Sequence, residues 1–201
     1  MQLAVTINTS ARRVPTWLVY GLGIVPGVWF FYLALTGGLG VEPIKELEHL
    51  LGELALQLLI GGLAITPLRR YLGINLLRFR RAIGLLAFFY VAMHLLVWLV
   101  LDVQIPAQIW ADILKRPYIT IGMVGFGLMI PLAVTSNNLS IRKLGPLWRK
   151  LHKLTYAAAL LGGLHFVMLV RGFQLEPLIY MGLVLALLAL RLPPLRMLQR
   201  A

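Results

Sequence analysis

Cysteine is absent from this chain of 201 residues. The absence excludes disulfide bonds, thiolate metal sites, iron–sulfur clusters and covalent haem attachment through a CxxCH motif. A bound metal would therefore depend on His, Met, Tyr or carboxylate side chains. Only four histidines are present, so nitrogen ligands are few.

Charge is scarce as well. Charged residues make up 13% of the chain, whereas a soluble domain contains about a quarter. Hydrophobic residues make up 60%, and the mean hydropathy is +0.85. So little polar material cannot cover a water-facing surface of this size. The composition predicts an integral membrane protein, and no long hydrophilic segment remains for a soluble catalytic module. No P-loop, catalytic triad or HExxH zinc motif occurs.

Six apolar runs account for most of the chain. A membrane-spanning helix needs roughly 20 apolar residues, and each run is close to that length. We expect residues 1–201 to form one membrane domain, an all-α bundle of about six transmembrane helices. The helices are predicted near residues 17–35, 50–67, 82–101, 118–135, 154–170 and 177–192.

The basic residues indicate the orientation. Alternating loops place 15 of the 19 Lys and Arg residues on one side and all seven acids on the other. An excess of Lys and Arg marks the cytoplasmic side, so both termini are predicted to be cytoplasmic. We expect the basic loops to contact anionic lipid head groups and not nucleic acid. The 15 residues are Arg12, Arg13, Arg69, Arg70, Arg78, Arg80, Arg81, Arg142, Lys143, Arg149, Lys150, Lys153, Arg191, Arg196 and Arg200.

Two histidines lie deep in predicted helices. His94 precedes the outer flank of the third helix by eight residues, and His165 precedes that of the fifth by six. At a rise of ~1.5 Å per residue, they lie roughly 12 Å and 9 Å below the outer surface. Two imidazoles at similar depth on two helices suit a haem with two axial histidines. The residues leave two other interpretations open, a pair of structural histidines bonded to backbone and a proton relay or ion path.

A second site is less complete. His152 precedes His165 by 13 residues, about 20 Å lower along a helix axis. It could ligate a second haem, or it could be an interfacial residue of a basic loop. The facing positions on the third helix are Arg80 and Arg81. Arginine does not ligate iron, but it could bind a haem propionate, a flavin phosphate or a lipid phosphate.

The fourth histidine, His49, follows the acidic segment IKELE at the outer start of the second helix. Such a residue is usually interfacial. Its neighbours Glu46, Glu48 and Glu53 could instead mark a proton-handling or docking surface.

Stretches along nearly the whole chain resemble the haem-binding membrane subunits of the periplasmic methionine sulfoxide reductase system, the MsrQ family. This family is related to the ferric-reductase-like transmembrane domain. The resemblance is carried by GGLGVEPIKELEHLLGELAL, ITPLRRYLG, RFRRAIGLLAF, HLLVWLVLD, RPYITIG, VTSNN, RKLGPLWRKLHKLTY and PLIYMGLVLALLALR, in this order.

The resemblance implies haem b, with His94 and His165 as the axial pair and His152 as a further haem-associated position. The broader domain typically carries two histidines on the third helix, where this chain has one and Arg80 and Arg81 at the other level. The count is therefore one haem, or two if His152 ligates another. The resemblance also implies flavin mononucleotide, although no residue here assigns its site.

The same resemblance implies a multi-pass protein of the bacterial inner membrane. It would pass electrons from the quinone pool or a cytoplasmic reduced flavin to a periplasmic molybdenum-containing reductase that repairs oxidised methionines. Substrate catalysis is expected in that partner. Two other hypotheses remain from the residues: a proton-coupled transporter or channel that uses the histidines as a relay, and a structural anchor for a partner enzyme.

Overall fold

The computed structural model describes residues 2–170 and 172–191, and the regular elements of this part of the chain are helical. A 3₁₀ turn, Leu77–Phe79, precedes α4, and a π-helical segment, Trp98–Val103, continues it. The helices are α1 Gln2–Arg13, α2 Thr16–Leu35, α3 Pro43–Leu72, α4 Arg80–Val97, α5 Pro106–Lys115, α6 Pro117–Val134, α7 Asn138–Leu144, α8 Pro146–Leu151, α9 Leu154–Leu169 and α10 Leu175–Ala189.

Four helical segments are long and apolar enough to cross a membrane: α2, α3, Leu77–Val103 and α6. These segments match the first four predicted spans. The fifth and sixth predicted spans correspond to α9 and α10, which are shorter at 16 and 15 residues. Six spans therefore stay a prediction. The predicted end of the sixth helix at 192, and the basic residues Arg171, Arg196 and Arg200, lie outside the described residues.

The second predicted helix begins earlier than expected. It starts at Pro43 and not near residue 50, so that Glu48 and His49 lie on its first turns. Proline suits the first helical turn because its missing N–H has no partner there in any case. Four short helices lie outside the predicted spans, because at 6 to 12 residues they are too short to cross a membrane. They are α1, α5, α7 and α8.

Two helix pairs form the centre of the bundle. Helix α3 packs along α4, and α6 packs along α9. Helix α10 covers α9 and α3, whereas α2 lies against α4 and α3. A buried cluster of Leu59, Ala87, Met129 and Ala158 takes one residue from each of the four central helices. Outward-facing apolar side chains such as Leu22, Val28 and Leu185 are exposed, as expected when lipid covers them.

Helix α2 is bonded to α4 through one hydroxyl group. Pro26 lies inside α2, and a proline lacks the N–H of the i→i−4 hydrogen bond at its position. The hydroxyl of Tyr90 accepts from the backbone N–H of Gly27 at 3.0 Å and donates to the carbonyl of Gly23 at 2.5 Å. Tyr90 is completely buried. It therefore fixes α2 against the helix that carries His94.

Candidate functional site

The structure brings the two deep histidines together. His94 projects from α4 and His165 from α9, and their ring centroids are 6.2 Å apart. The two ring planes are nearly perpendicular, at 82°. The residues are 71 positions apart in the chain, so only the packing of the two helix pairs makes them neighbours.

Each imidazole is fixed by a backbone carbonyl of the facing helix. Nδ1 of His94 lies 2.8 Å from the carbonyl oxygen of Glu48 on α3, and Nδ1 of His165 lies 2.7 Å from that of Tyr118 on α6. A carbonyl oxygen can only accept, so both Nδ1 atoms carry the proton. In a neutral imidazole this leaves the lone pair on Nε2, the arrangement found in metal-ligating histidines.

A glycine lies beneath each ring. A Cβ atom at Gly52 would be 3.0 Å from Nδ1 of His94, and one at Gly122 would be 2.9 Å from Nδ1 of His165. Each glycine follows the carbonyl acceptor by four residues, one helical turn. A larger side chain at either position would push the imidazole off its acceptor. The two glycines thus permit the close approach of ring and helix.

The two halves of the site match in spacing along the chain. Glu48 and Tyr118 precede their histidines by 46 and 47 residues, and Gly52 and Gly122 by 42 and 43. Two helix pairs, α3–α4 and α6–α9, therefore supply the same acceptor, glycine and histidine in the same order. The site has an approximate twofold relationship between its halves.

The histidines line a cavity of about 410 Å³ between the central helices. Its inner wall is apolar and contains Leu59, Phe126, Met129 and Ala158, while its mouth carries ionisable groups. Glycines at four wall positions allow the helices around the cavity to pack closely, because an added Cβ at each would contact a side chain of a neighbouring helix. These positions are Gly52, Gly122, Gly125 and Gly162.

The donor set fits a haem better than a bare metal ion. Over residues 2–170 and 172–191, no three His, Asp or Glu side chains are grouped to hold a free ion. Two imidazoles suit a metal whose remaining ligands come from the cofactor itself, as in haem. With metal–nitrogen bonds of about 2.0–2.1 Å, two imidazoles on opposite sides of one metal have centroids roughly 6 Å apart. The observed 6.2 Å agrees with this separation.

The inner candidate residues lie away from the cavity. His152 stacks on Trp148 with ring centroids 3.8 Å apart, and its Nε2 lies 3.5 Å from the hydroxyl of Ser136. Burial lowers the pKa of His152 below its ordinary value. Arg81 donates to the side-chain oxygen of Asn138 at 2.8 Å, and the charge of Arg80 also lowers the pKa of His152. None of His152, Arg80 and Arg81 is among the cavity-lining residues, and their predicted roles stay predictions.

His49 lines the cavity and lies against Phe166, with ring centroids 5.5 Å apart. Glu53 also lines the cavity and accepts from Gln57 and Tyr180, each at 2.7 Å. The acidic start of α3 is therefore part of the cavity wall.

The structure brings together the two histidines that the sequence predicts as a pair, and their role as ligands stays a prediction. The sequence does not indicate the groups that hold them, which are the carbonyl acceptors at Glu48 and Tyr118 and the glycines at 52 and 122. The matched spacing of the two halves is the one sequence signal for these carbonyls and glycines. The signal is weak because only a few residues repeat.

Comparisons of this chain with a family model and with known proteins agree. Residues 50–163 match the family model described as ferric reductase like transmembrane component. The protein-methionine-sulfoxide reductase heme-binding subunit MsrQ of Agrobacterium fabrum is 50% identical over 196 residues, covering 96% of this chain and 91% of that relative. The subunits of the same name from Brucella ovis and Brucella canis are each 49% identical over 197 residues, covering 94% of this chain and 90% of theirs. No solved structure matches the chain.

Proposed function

This chain belongs to the MsrQ family of haem-binding subunits of protein-methionine-sulfoxide reductases, and we propose that it is a membrane electron-transfer subunit with a b-type haem. The observation that carries the proposal is the pair of imidazoles, 6.2 Å apart, with both Nδ1 atoms bonded to backbone. A haem held there supplies a one-electron carrier within the membrane.

The protein's own residues have three tasks in this proposal. The Nε2 atoms of His94 and His165 would hold the haem iron, and the carbonyls of Glu48 and Tyr118 fix the tautomer and the orientation of each ring. The apolar wall excludes water from the carrier. Substrate chemistry belongs to the partner.

The charge distribution supports an orientation. With 15 of the 19 basic residues on one side, we propose six spans with both termini in the cytoplasm of a bacterium and the domain in the inner membrane. The histidine pair then lies in the outer half of the bilayer, where electrons can leave toward a periplasmic partner.

The proposed partner is a periplasmic molybdenum-containing reductase that returns oxidised methionines in proteins to methionine. The proposed donor is the quinone pool or a cytoplasmic reduced flavin, including flavin mononucleotide. The inner basic loops, with Arg80 and Arg81, are the surface that would face such a donor. His152 is the position at which a second haem would be ligated.

The test is the haem content and visible spectrum of the purified protein in mild detergent. We expect a low-spin b-type reduced-minus-oxidised spectrum and one haem per chain, with haem lost in His94→Ala and in His165→Ala. His49→Ala is a matched control, because His49 lines the same cavity but is not a proposed ligand. Full haem content in both ligand variants would sink the assignment. Two haems per chain, falling to one in His152→Ala, would add the second site.

A further inference from the structure

Two cationic side chains lie at the mouth of the cavity, one in each half of the site. Lys45 lies on the first turn of α3, and Arg116 directly precedes α6. Both line the cavity. Each precedes the histidine of its own half by 49 residues. Counted from the carbonyl acceptors, Lys45 lies three residues before Glu48 and Arg116 lies two before Tyr118, so the cations match the twofold relationship to within one residue.

A haem has matching symmetry. A twofold axis in the plane of the ring, passing between the two propionates, exchanges both the two faces and the two carboxylates. A protein site whose halves are related in the same way offers one imidazole to each face. It can also offer one cation to each propionate.

We propose that Lys45 and Arg116 bind the two haem propionates, so that the propionate edge faces the mouth of the cavity and the apolar edge faces its inner wall. This inference rests on the proposed function. Charge-assisted hydrogen bonds of this type are among the stronger polar contacts in proteins. Arginine can pair with a carboxylate through two parallel N–H groups, while lysine acts as a compact charge.

The present partners of the two cations differ. Lys45 pairs with Glu42 at 2.6 Å, with both side chains more than 60% exposed. Such exposed pairs contribute little to stability, so exchanging Glu42 for a propionate costs little. Arg116 pairs through Nε with Asp112 at 3.2 Å, and the Asp112 side chain is only 11% exposed. Because a guanidinium has five N–H donors, Arg116 can keep this pair while its terminal nitrogens reach a propionate.

Two carboxylates oppose the proposal electrostatically. Asp102 and Glu48 also line the mouth, and a propionate there would be repelled by an ionised neighbour. Asp102, on the π-helical segment after α4, is the more informative of the two, because Glu48 also supplies the carbonyl that holds His94. Removing the charge of Asp102 should therefore act in the opposite direction to removing either cation.

The inner arginines are the competing location. Arg81 and Arg80 precede His94 by 13 and 14 residues, a distance of roughly 20 Å along a helix. Neither is among the cavity-lining residues. A haem between His94 and His165 that reached them would have to point its propionates into the apolar wall.

The experiment compares haem b with its dimethyl ester, in which both propionates are uncharged. Apo-protein in detergent is titrated with each pigment for the wild type, Lys45→Gln, Arg116→Gln and the double variant. We expect each single variant to weaken binding of haem b roughly tenfold or more, the effect of losing one charged hydrogen bond. The ester should bind the wild type and the variants equally, because it offers no charge to pair.

Matched controls separate pairing with the propionates from a general effect of charge. Lys115→Gln removes an adjacent exposed charge that does not line the cavity and should leave the affinity unchanged. Lys45→Arg should retain it. In reconstituted protein the midpoint potential should fall in Lys45→Gln and Arg116→Gln and rise in Asp102→Asn, with the two-histidine spectrum unchanged.

The outcomes distinguish loss of the haem site from loss of the propionate contacts. A wild type that binds neither pigment defeats the proposed function and this inference with it. If the wild type binds haem and His94→Ala loses it, but Lys45→Gln and Arg116→Gln bind haem b normally, only this inference fails. It also fails if Lys45→Gln and Arg116→Gln weaken binding of the dimethyl ester as much as binding of haem b. It fails as well if Arg80→Gln and Arg81→Gln are instead the variants that weaken binding of haem b and leave binding of the ester unchanged.

Discussion

His165 donates from Nδ1 to the backbone carbonyl of Tyr118 at 2.7 Å. The acceptor is part of the backbone of α6, so no side-chain substitution at Tyr118 removes it. The orientation of the imidazole therefore depends on how closely α9 approaches α6. The residue that allows this approach is Gly122, one turn further along α6.

Gly122→Ala is expected to displace the ring of His165. The new Cβ would lie 2.9 Å from Nδ1 and 3.0 Å from Cε1, and such overpacking typically costs about 1–3 kcal/mol. If the strain falls on the ligand, haem affinity should drop roughly tenfold to a hundredfold. The measurement is a haem titration of apo-protein, together with the low-spin spectrum of the loaded form.

The control lies on the same helix. A Cβ at Gly127 would meet no atom within 4 Å, so Gly127→Ala should bind haem normally. Gly52→Ala, beneath His94, should repeat the effect of Gly122→Ala, with Gly61→Ala as its open control on α3. Equal affinities in all four variants would contradict the fixed position of the rings.

The sequence was sufficient to find the histidines because an ionisable side chain in an apolar helix is costly and conspicuous. It could not identify the carbonyls of Glu48 and Tyr118, because every residue carries a carbonyl. Which one meets an imidazole depends on the register of two packed helices. That register is set by distant contacts such as those of Leu59, Ala87 and Met129.

The direction of the His152 side chain is a second feature that could not be predicted from the sequence. Sequence spacing put it on the helix of His165, but α9 begins only at Leu154, after the short helix α8 and a turn. His152 ends α8 and stacks on Trp148. A break of this kind between two helices leaves no periodicity signal, so the direction of the side chain could not be predicted.

Tyr90→Phe is expected to weaken the attachment of α2 to α4. The variant loses the hydroxyl that accepts from Gly27 and donates to Gly23, which leaves the buried N–H of Gly27 and the half-buried carbonyl of Gly23 without that partner. We expect a loss of stability of about 1–3 kcal/mol, measured as a lower unfolding midpoint in a detergent titration. Tyr32→Phe, on the exposed side of α2, is the control. Equal midpoints for the two variants would show that the hydroxyl contributes nothing.

Acidification is expected to destabilise the protein partly through His152. Its folded-state pKa is below the ordinary value of 6.5, chiefly because burial disfavours the charged form. The unfolded chain therefore binds the proton more readily, and stability is present above pH 6.5 and lost as the pH falls toward the folded pKa. His152→Gln should flatten this dependence between about pH 7.5 and about pH 5.5. The measurement is the unfolding midpoint against pH, and parallel curves for both proteins would contradict it.

The carbonyl of Leu63 on α3 lacks its usual donor within the helix. Pro67 lacks the N–H that would donate to the carbonyl of Leu63, and Nη2 of Arg191 donates to that oxygen at 2.6 Å. Arg191→Ala should therefore cost about 1.5–3 kcal/mol, the range for a hydrogen bond from a charged donor. In a Pro67→Ala background the helix regains its own N–H, so the same Arg191 substitution should cost clearly less. The two backgrounds form a double-mutant cycle whose coupling energy isolates this contact. Arg69→Ala, an exposed arginine of the same region, controls for lost charge. An Arg191 effect of the same size in both backgrounds would mean that Arg191 stabilises the fold through its contact with Tyr156 and not by satisfying the carbonyl of Leu63.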